Sequence, residues 1–464
     1  MRTSAFASSG IRVAMVRRMC VLGIVSMAWA FGQDAISQVN VATDPQQNTA
    51  APLTLTLQDA LARARKINPE YHAALTELGI AREDRVQSRA ALLPNVNYTT
   101  EFLYTQSNGT RTNAPRFITN NAVHEYVSQG NAHQVLSLQD VAEYRRTRAA
   151  EAVARARAEI ATRGLVVTVV KAFYGFIVAQ RKYASVQRAA AEAQHFLDIS
   201  QKLEHGGEVA HSDVVKAQIQ AQTQQRELQE AELEMNRSRL ELAVLIFPDF
   251  NENFAVVDDL QTPEPLPEFA EVQAAAARKN PQLRAAIATL DEAKQEIGVA
   301  WNGFLPSLSF DYFYGIDASH FAVNEFDPVS SRVVRNLGYA ATVTLQLPIW
   351  NWGANRSKLK QANLRREQAK IELTATQREL LSNLRIFYNE AQTARAELDS
   401  LTQSAELAAE SQRLTTLRYQ AGEATALEVV DAQNTLTQSR NALNDGQARF
   451  RVALANLQTL TGTL

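Results

Sequence analysis

The chain has 464 residues, 46% apolar and 21% charged, with a formal net charge of −2, 18 Gly and 13 Pro. That length supports a large core, the scarcity of Gly and Pro excludes a collagen-like or low-complexity chain, and the balanced charge without a basic block argues against a nucleic-acid partner. The single cysteine, Cys20, excludes an intrachain disulfide and a cysteine zinc site, and 7% aromatic content beside abundant Ala, Gln, Arg, Glu and Leu favours helix over an all-β fold.

Residues 1–30 read as a secretory signal peptide. Arg12, Arg17 and Arg18 precede a short apolar core over 20–29, and Ala28-Trp29-Ala30 is an A-x-A cleavage site. The core is well short of the ~20 residues a spanning helix needs. Arg18-Met19 before Cys20 is unlike a lipoprotein signal, so the mature chain is expected to be exported and not acylated. No later stretch has the continuous apolar run of about 18 residues that marks a spanning helix. Any entry into a membrane is therefore by β-strands.

The rest of the chain repeats itself. Asn68-Pro69 to Leu93-Pro94 recurs as Asn280-Pro281 to Leu305-Pro306, offset by 212. Gly207-Glu208 with Val214-Val215-Lys216-Ala217-Gln218 recurs as Gly422-Glu423 with Val429-Val430-Asp431-Ala432-Gln433, offset by 215. Ordered Pro, Gly and Val-Val landmarks point to duplication. The repeats are placed at 54–247 and 268–462, joined by an extended linker, 248–267, that holds Pro263, Pro265 and Pro267.

Each half predicts the same order of elements. A helix broken at a proline comes first, over 57–91 and again over 271–302. A strand follows, then a long polar loop (106–121, 317–335) and a return strand. Leu308, Phe310, Tyr312 and Tyr314 alternate with Ser307, Ser309 and Asp311, and Ala341, Val343, Leu345 and Leu347 alternate with Thr342, Thr344 and Gln346. One apolar face and one small-polar face is the pattern of a barrel strand. Val96, Tyr98, Phe102 and Tyr104 form the first-half strand, with its return around 123–138. Proline-free runs from Asp140 and from Gly353 then predict helices of roughly 65 residues, or ~100 Å each. They reverse at Gly206-Gly207 and at Gly422, where a left-handed backbone is expected, and return as helices of about 35 residues. The fold class is thus mostly α with membrane β: a two-fold internal repeat, each half two β-strands plus a long helical hairpin.

Four strands cannot seal a barrel, which needs at least about eight. Free sheet edges in lipid leave unpaired N–H and C=O groups that cost several kcal/mol each. Copies of the chain must therefore pool strands; two would give a filled barrel, and three a twelve-stranded one with room for a water path. The helices far exceed the ~30 Å hydrocarbon core. Their Gln, Arg and Glu content also bars lipid contact, so they project into water.

Arg418-Tyr419-Gln420-Ala421-Gly422-Glu423, followed by Leu427-Glu428-Val429-Val430-Asp431-Ala432-Gln433, resembles the R-Y-x-x-G…L-D-V-L-x-A-Q block of the TolC-type outer-membrane efflux proteins. Gly207 with Ser212-Asp213-Val214-Val215-Lys216-Ala217 is similar to the first-hairpin version. Leu345-Gln346-Leu347-Pro348-Ile349-Trp350-Asn351-Trp352-Gly353 resembles the family's strand-to-helix passage. The resemblance covers about 54–462. It implies a homotrimer: a twelve-stranded β-barrel in outer-membrane lipid, standing on an α-helical barrel in the periplasm. It implies a periplasmic adaptor and an inner-membrane transporter as partners, passive export in tripartite efflux or type I secretion, no enzymatic activity and no cofactor. Residue by residue, it makes Glu428 and Asp431 the acids of a periplasmic constriction. Ser212, Asp213 and Tyr419 become members of a gating network at the hairpin tips, and Gly207 and Gly422 the tip turns where the adaptor docks. Ala424 stands where the best-known pattern has an arginine, and the first half has Leu136-Ser137-Leu138-Gln139-Asp140 in place of the P-x-W passage.

Without the resemblance, Glu428 and Asp431 read as ordinary solvated helix charges. His205 and His211 flank the first tip with no paired ligand on the second, so they read as solvated loop histidines, not a metal site. No phosphate-binding loop, nucleophile elbow or H-E-x-x-H motif occurs. Trp350 and Trp352 suit either interfacial anchors or packing at a strand-to-helix corner. The competing function is a periplasmic coiled-coil structural or adaptor-like protein, which would usually carry a compact β domain between its helices.

Overall fold

The computed structural model describes residues 53–104, 124–249, 253–262, 264–327 and 331–462. The expected leader and the loop at 106–121 lie outside the described residues. The first half contains β1 (Leu53–Leu55), α1 (Leu57–Ile67), α2 (Pro69–Ala90), β2 (Asn95–Tyr104), β3 (His124–Leu136), α3 (Leu138–His205) and α4 (His211–Ile246). The second contains β4 (Phe254–Val256), α5 (Phe269–Lys279), α6 (Pro281–Asn302), β5 (Ser307–Ala318), β6 (Asn324–Asp327), β7 (Arg332–Arg335), β8 (Leu337–Gln346), α7 (Ala354–Gln420) and α8 (Ala426–Thr461).

Helix lengths match between the halves: 11 residues for α1 and α5, 22 for α2 and α6, 68 against 67 for α3 and α7, and 36 for α4 and α8. The repeat is therefore structural as well as sequential. Its Asn-Pro landmark has a local cause. Asn68 ends α1 and caps α2, its Oδ1 accepting from Tyr71 N–H at 2.8 Å; Asn280 does the same for Leu283 at 2.9 Å. Pro69 and Pro281 follow at the first helical position, where no N–H is needed.

The main sheet has the order β2-β3-β5-β8, antiparallel throughout, so the β3–β5 pair joins the two halves. Cross-strand partners share a face. Val96, Ala132, Tyr312 and Ala341 form one row, and Tyr98, Gly130, Tyr314 and Tyr339 the next. The opposite face carries Asn95, His133, Asp311 and Thr342 in one row, with His133 Nδ1 2.6 Å from Asp311 Oδ1. The apolar face is bare: Val96, Tyr98 and Tyr339 are each about three-quarters exposed. Among the described residues β2 and β8 each have one unpaired edge.

The expected loop over 317–335 needs correction. The segment 317–335 is not simply a loop, because β5 runs on to Ala318 and β6 and β7 form a hairpin, with Phe326 opposite Val333. Its β-branched and aromatic residues supply the cross-strand pair that a polar loop lacks. The first-half passage without Pro or Trp uses a serine cap, Ser137 Oγ accepting from Gln139 N–H at 3.0 Å.

The segment between the halves carries β4, which pairs in parallel with β1, Leu53 opposite Phe254. Around this pair lies the largest core, with Leu55, Phe173, Phe176, Ile177, Leu242 and Ile246 nearly fully buried. Among the described residues α3 is the one helix apolar and long enough, by composition, to cross a membrane, and half of its apolar window is buried inside the protein. The acidic segment after β4 is pinned by arginines. Arg181 forks onto both carboxylate oxygens of Asp258 at 2.5 and 2.7 Å. Buried Arg451 donates to the Asp259 and Thr262 carbonyls at 2.7 and 2.9 Å and pairs with Glu264.

Candidate functional site at the helical hairpin tips

Both hairpins turn by the same device. At the first tip Glu208 N–H bonds the Leu203 carbonyl at 2.9 Å and Gly207 N–H the Glu204 carbonyl at 2.8 Å; at the second, Glu423 bonds Arg418 at 2.8 Å and Gly422 bonds Tyr419 at 3.0 Å. Each is a six-to-one, five-to-two closure around a left-handed residue. Gly207 has φ 77° and Gly422 φ 78°. Nothing lies within 4 Å of where a Cβ would stand at either, so backbone conformation alone requires glycine there.

The tips differ in how the returning helix starts. Ala210 leaves α4 without a side-chain cap, whereas Thr425 and Glu428 form a reciprocal capping box on α8. Glu428 N–H bonds Thr425 Oγ1 at 3.3 Å, and the Glu428 carboxylate accepts from Thr425 N–H at 3.2 Å. Arg418 reaches across the turn, donating to the Glu423 carbonyl at 3.1 Å and standing 3.7 Å from Glu428 Oε2. Arg418, on the opposite arm, is thus the cation nearest the Glu428 carboxylate at this tip among the described residues. Asp431 lies exposed one turn beyond Glu428, and no ion pair to its carboxylate occurs among the described residues.

Tyr419 joins the two hairpins. It is 3% exposed, its ring centroid is 4.9 Å from that of Phe196, and its hydroxyl is 3.1 Å from Ser200 Oγ. Fully buried Ser200 donates its own proton to the Phe196 carbonyl at 2.9 Å, so Tyr419 is the donor to Ser200. Val214, Ala217, Ala426 and Val429 close the same core. Further up, Gln220 Nε2 donates to Asn434 Oδ1 at 3.0 Å.

Asp213 sits in the first turn of α4, 3.2 Å from Lys216 Nζ, and Ser212 is exposed beside it. Among the described residues neither forms a side-chain hydrogen bond or ion pair with the second hairpin. His211 Nδ1 is 2.7 Å from Glu204 Oε1, and His205 Nδ1 is 3.1 Å from the Gln201 carbonyl. Among the described residues no cluster of three metal-type ligands forms. Sequence reasoning missed Ser200, Phe196 and the cap role of Thr425. The last was readable, since Thr-x-x-Glu before an apolar run is a capping-box signature.

The outer membrane efflux protein family model matches residues 57–246 and 272–463. The chain belongs to the outer membrane efflux protein family. As the family's two matched segments imply, its business is transport, in the outer membrane, with the helical part in the periplasm. The chain is 25% identical to the outer membrane protein TolC of Vibrio cholerae over 87% of its own length and 89% of the relative's. It is 24% identical to the alkaline protease secretion protein AprF of Pseudomonas aeruginosa over 88% and 85%. The Campylobacter jejuni CmeC outer membrane channel shares the fold, with a TM-score of 0.74 at 17% identity over 88% of this chain and 85% of that one. Membership of the outer membrane efflux protein family over both halves of the chain removes the periplasmic adaptor-like alternative.

Proposed function

We propose that three copies of the chain close a twelve-stranded barrel in the outer membrane and a helical duct beneath it, the exit channel of a tripartite efflux or type I secretion system. The observation that carries this is the open four-stranded sheet, with unpaired edges at β2 and β8 and a bare apolar face. Such a sheet is unstable in lipid alone, and joining edges between copies satisfies its backbone while leaving the row of Asn95, His133, Asp311 and Thr342 toward water. Each repeat, 54–247 and 268–462, contributes half of the strands and one hairpin.

The tips are the mouth of the duct and the surface where a periplasmic adaptor docks; an inner-membrane transporter supplies substrate and energy. Around the three-fold axis, Glu428 and Asp431 place carboxylates from every copy near one another, which favours cations. Arg418 tempers Glu428, so Asp431 carries more of that effect. Ser212, Asp213 and Tyr419 hold neighbouring arms together, and Gly207 and Gly422 set the docking turns.

The test is fractionation with electrophoresis and conductance. The protein should run as a heat-sensitive trimer from outer-membrane fractions and conduct in planar bilayers. A stable single-copy barrel, or absence of conductance from a membrane-inserted trimer, would overturn the reading.

A further inference from the structure

The helical wall beneath the sheet carries an uneven charge. Along α3, Arg145, Arg148 and Arg155 share one face, because residues three and seven apart return to the same side of a helix. Arg284 approaches from α6, and the four side chains line a groove between the two helices with a volume of about 760 Å³. Ala152 and Ala288 stand among them, with side chains too short to fill the space. The acids nearby are already engaged. Glu151 pairs with Arg85 at 2.5 Å and with Arg155 at 2.8 Å. Glu159 pairs with Arg284 at 2.7 Å and also with Arg163. Asp291, the acid on the groove's lining, pairs with Lys294 at 2.8 Å. Arg145 and Arg148 are exposed, and their guanidinium groups have no ion pair or hydrogen bond among the described residues. Six arginines thus meet the two carboxylates of Glu151 and Glu159.

The duplicated half shows that helix packing does not require this row. At the offset of 212 that relates the Asn-Pro landmarks, Arg284 corresponds to His72. Counting back from Phe173-Tyr174 and Phe387-Tyr388, Arg145, Arg148 and Arg155 correspond to Leu359, Ala362 and Ala369. Like charges this close on one helix face repel, so the row is a local cost that the other half avoids. A second copy does not account for it either. The helices pack in the order α2-α3-α6-α7. On the trimeric reading, copies therefore meet at α2 and α7, and the groove lies in the middle of the wall that each contributes.

We propose that the groove between α3 and α6 binds an anion carrying several phosphate groups. A guanidinium presents its donors as a planar fork that fits two oxygens of one phosphate. Arg145 and Arg155 stand about 15 Å apart along the helix axis, a span that suits a ligand with more than one anionic group over a single small ion. Arginines whose charge nothing nearby offsets also raise the local concentration of multivalent anions. The same chemistry would come from cargo inside the duct or from a solute on the outer side of its wall.

The full channel, purified in detergent and titrated calorimetrically with tripolyphosphate, provides the test. Binding should saturate and should weaken as salt rises. R145Q/R148Q removes the two unengaged cations without breaking an ion pair, and should weaken binding by about tenfold or more per arginine. R145K/R148K keeps the charge but not the fork, and should recover only part of the affinity. Absence of saturable binding, or equal affinity in wild type and R145Q/R148Q, in a protein that runs as a heat-sensitive trimer would overturn the proposal and leave the channel standing. Full affinity in the lysine variant would overturn recognition by guanidinium forks. Saturable binding, lost in R145Q/R148Q, by a protein that forms no trimer would uphold the groove and overturn the channel reading instead. Planar bilayers separate the two sources, and both outcomes uphold the site. Blockade of conductance by tripolyphosphate that is lost in R145Q/R148Q places the ligand in the duct, and binding without blockade places it outside.

Discussion

Removing one hydroxyl at the tips tests whether the hairpins part there. In Tyr419→Phe the ring still packs on Phe196, but the proton given to Ser200 is lost. A buried hydrogen bond is worth about 1 kcal/mol net, so the closed tip of one copy should weaken by about fivefold relative to an open one. If the three copies open together, the losses add to about 3 kcal/mol and the ratio shifts more than a hundredfold. Ser200→Ala should cost at least as much, because it strands a buried donor. The double variant should cost less than the sum, since both partners are then gone. Single-channel recording reads this directly as shorter closed dwell times and a higher mean conductance. Tyr419→Ala is the companion, adding a cavity worth about 3–5 kcal/mol. If Phe behaves as wild type while Ala opens the channel, packing rather than the hydroxyl holds the tips. If neither variant changes conductance, the tips do not separate at this contact, and the gating role of Tyr419 fails.

Gly422→Ala and Gly207→Ala should each cost about 1–2 kcal/mol from the left-handed backbone alone, read as faster proteolysis at the altered tip; equal protease resistance would show that the turn rearranges at no cost. Glu428→Gln with Asp431→Asn should lower cation selectivity in reversal-potential measurements, the Asp431 change contributing more because Arg418 already faces Glu428; unchanged selectivity removes both from the constriction. Arg451→Leu should destabilise the region around β4 by about 1–3 kcal/mol, chiefly because it leaves the Asp259 and Thr262 carbonyls without their donor, while half-exposed Glu264 regains water; the readout is thermal unfolding, and a wild-type midpoint would contradict it. Bonds from Thr56 hold the Asp59 carboxyl below its ordinary value of 3.8. Its stabilisation of α1 is therefore complete above that value and lost as pH falls through the lower folded one, so Asp59→Asn should weaken amide protection of α1 near neutrality and make no difference in strong acid.

Period was the most legible feature of this chain. Leu308, Phe310, Tyr312 and Tyr314 do share one face of β5, and the Asn-Pro and Gly landmarks mark helix junctions and turns because each residue type has a backbone reason to be there. The strand β4 was hidden in what read as an acidic, proline-rich linker. Three residues, Phe254 to Val256, are too short for alternation to register, and only their parallel pairing with β1 makes them a strand. The β6–β7 hairpin was lost for the same reason, its apolar residues being few and scattered among charges. At the tips the motif located Tyr419 and Glu428 but not their partners. Ser200 lies more than 200 residues from Tyr419 in sequence, and nothing local distinguishes it from the other small residues of α3.

Duplication explains the tip geometry only in part. The two turns share every backbone bond, as copies of one ancestral unit would, yet their returning helices have diverged. The α8 start holds a capping box and the Arg418 contact, and each additional bond there raises the cost of fraying. The α4 start has Ala210 and no side-chain cap; Asp213 N–H closes on the Ala210 carbonyl at 2.9 Å, and no side-chain oxygen at the cap serves the other first-turn N–H groups. Two tips with one backbone design and unequal end stability cannot respond equally to a docking protein. The first is the arm with exposed donors and less to lose on rearranging. On the proposed reading of the tips as a gate, fraying of the second arm would also have to break its capping box and the Arg418 contact, whereas the Tyr419–Ser200 bond is lost whichever arm moves.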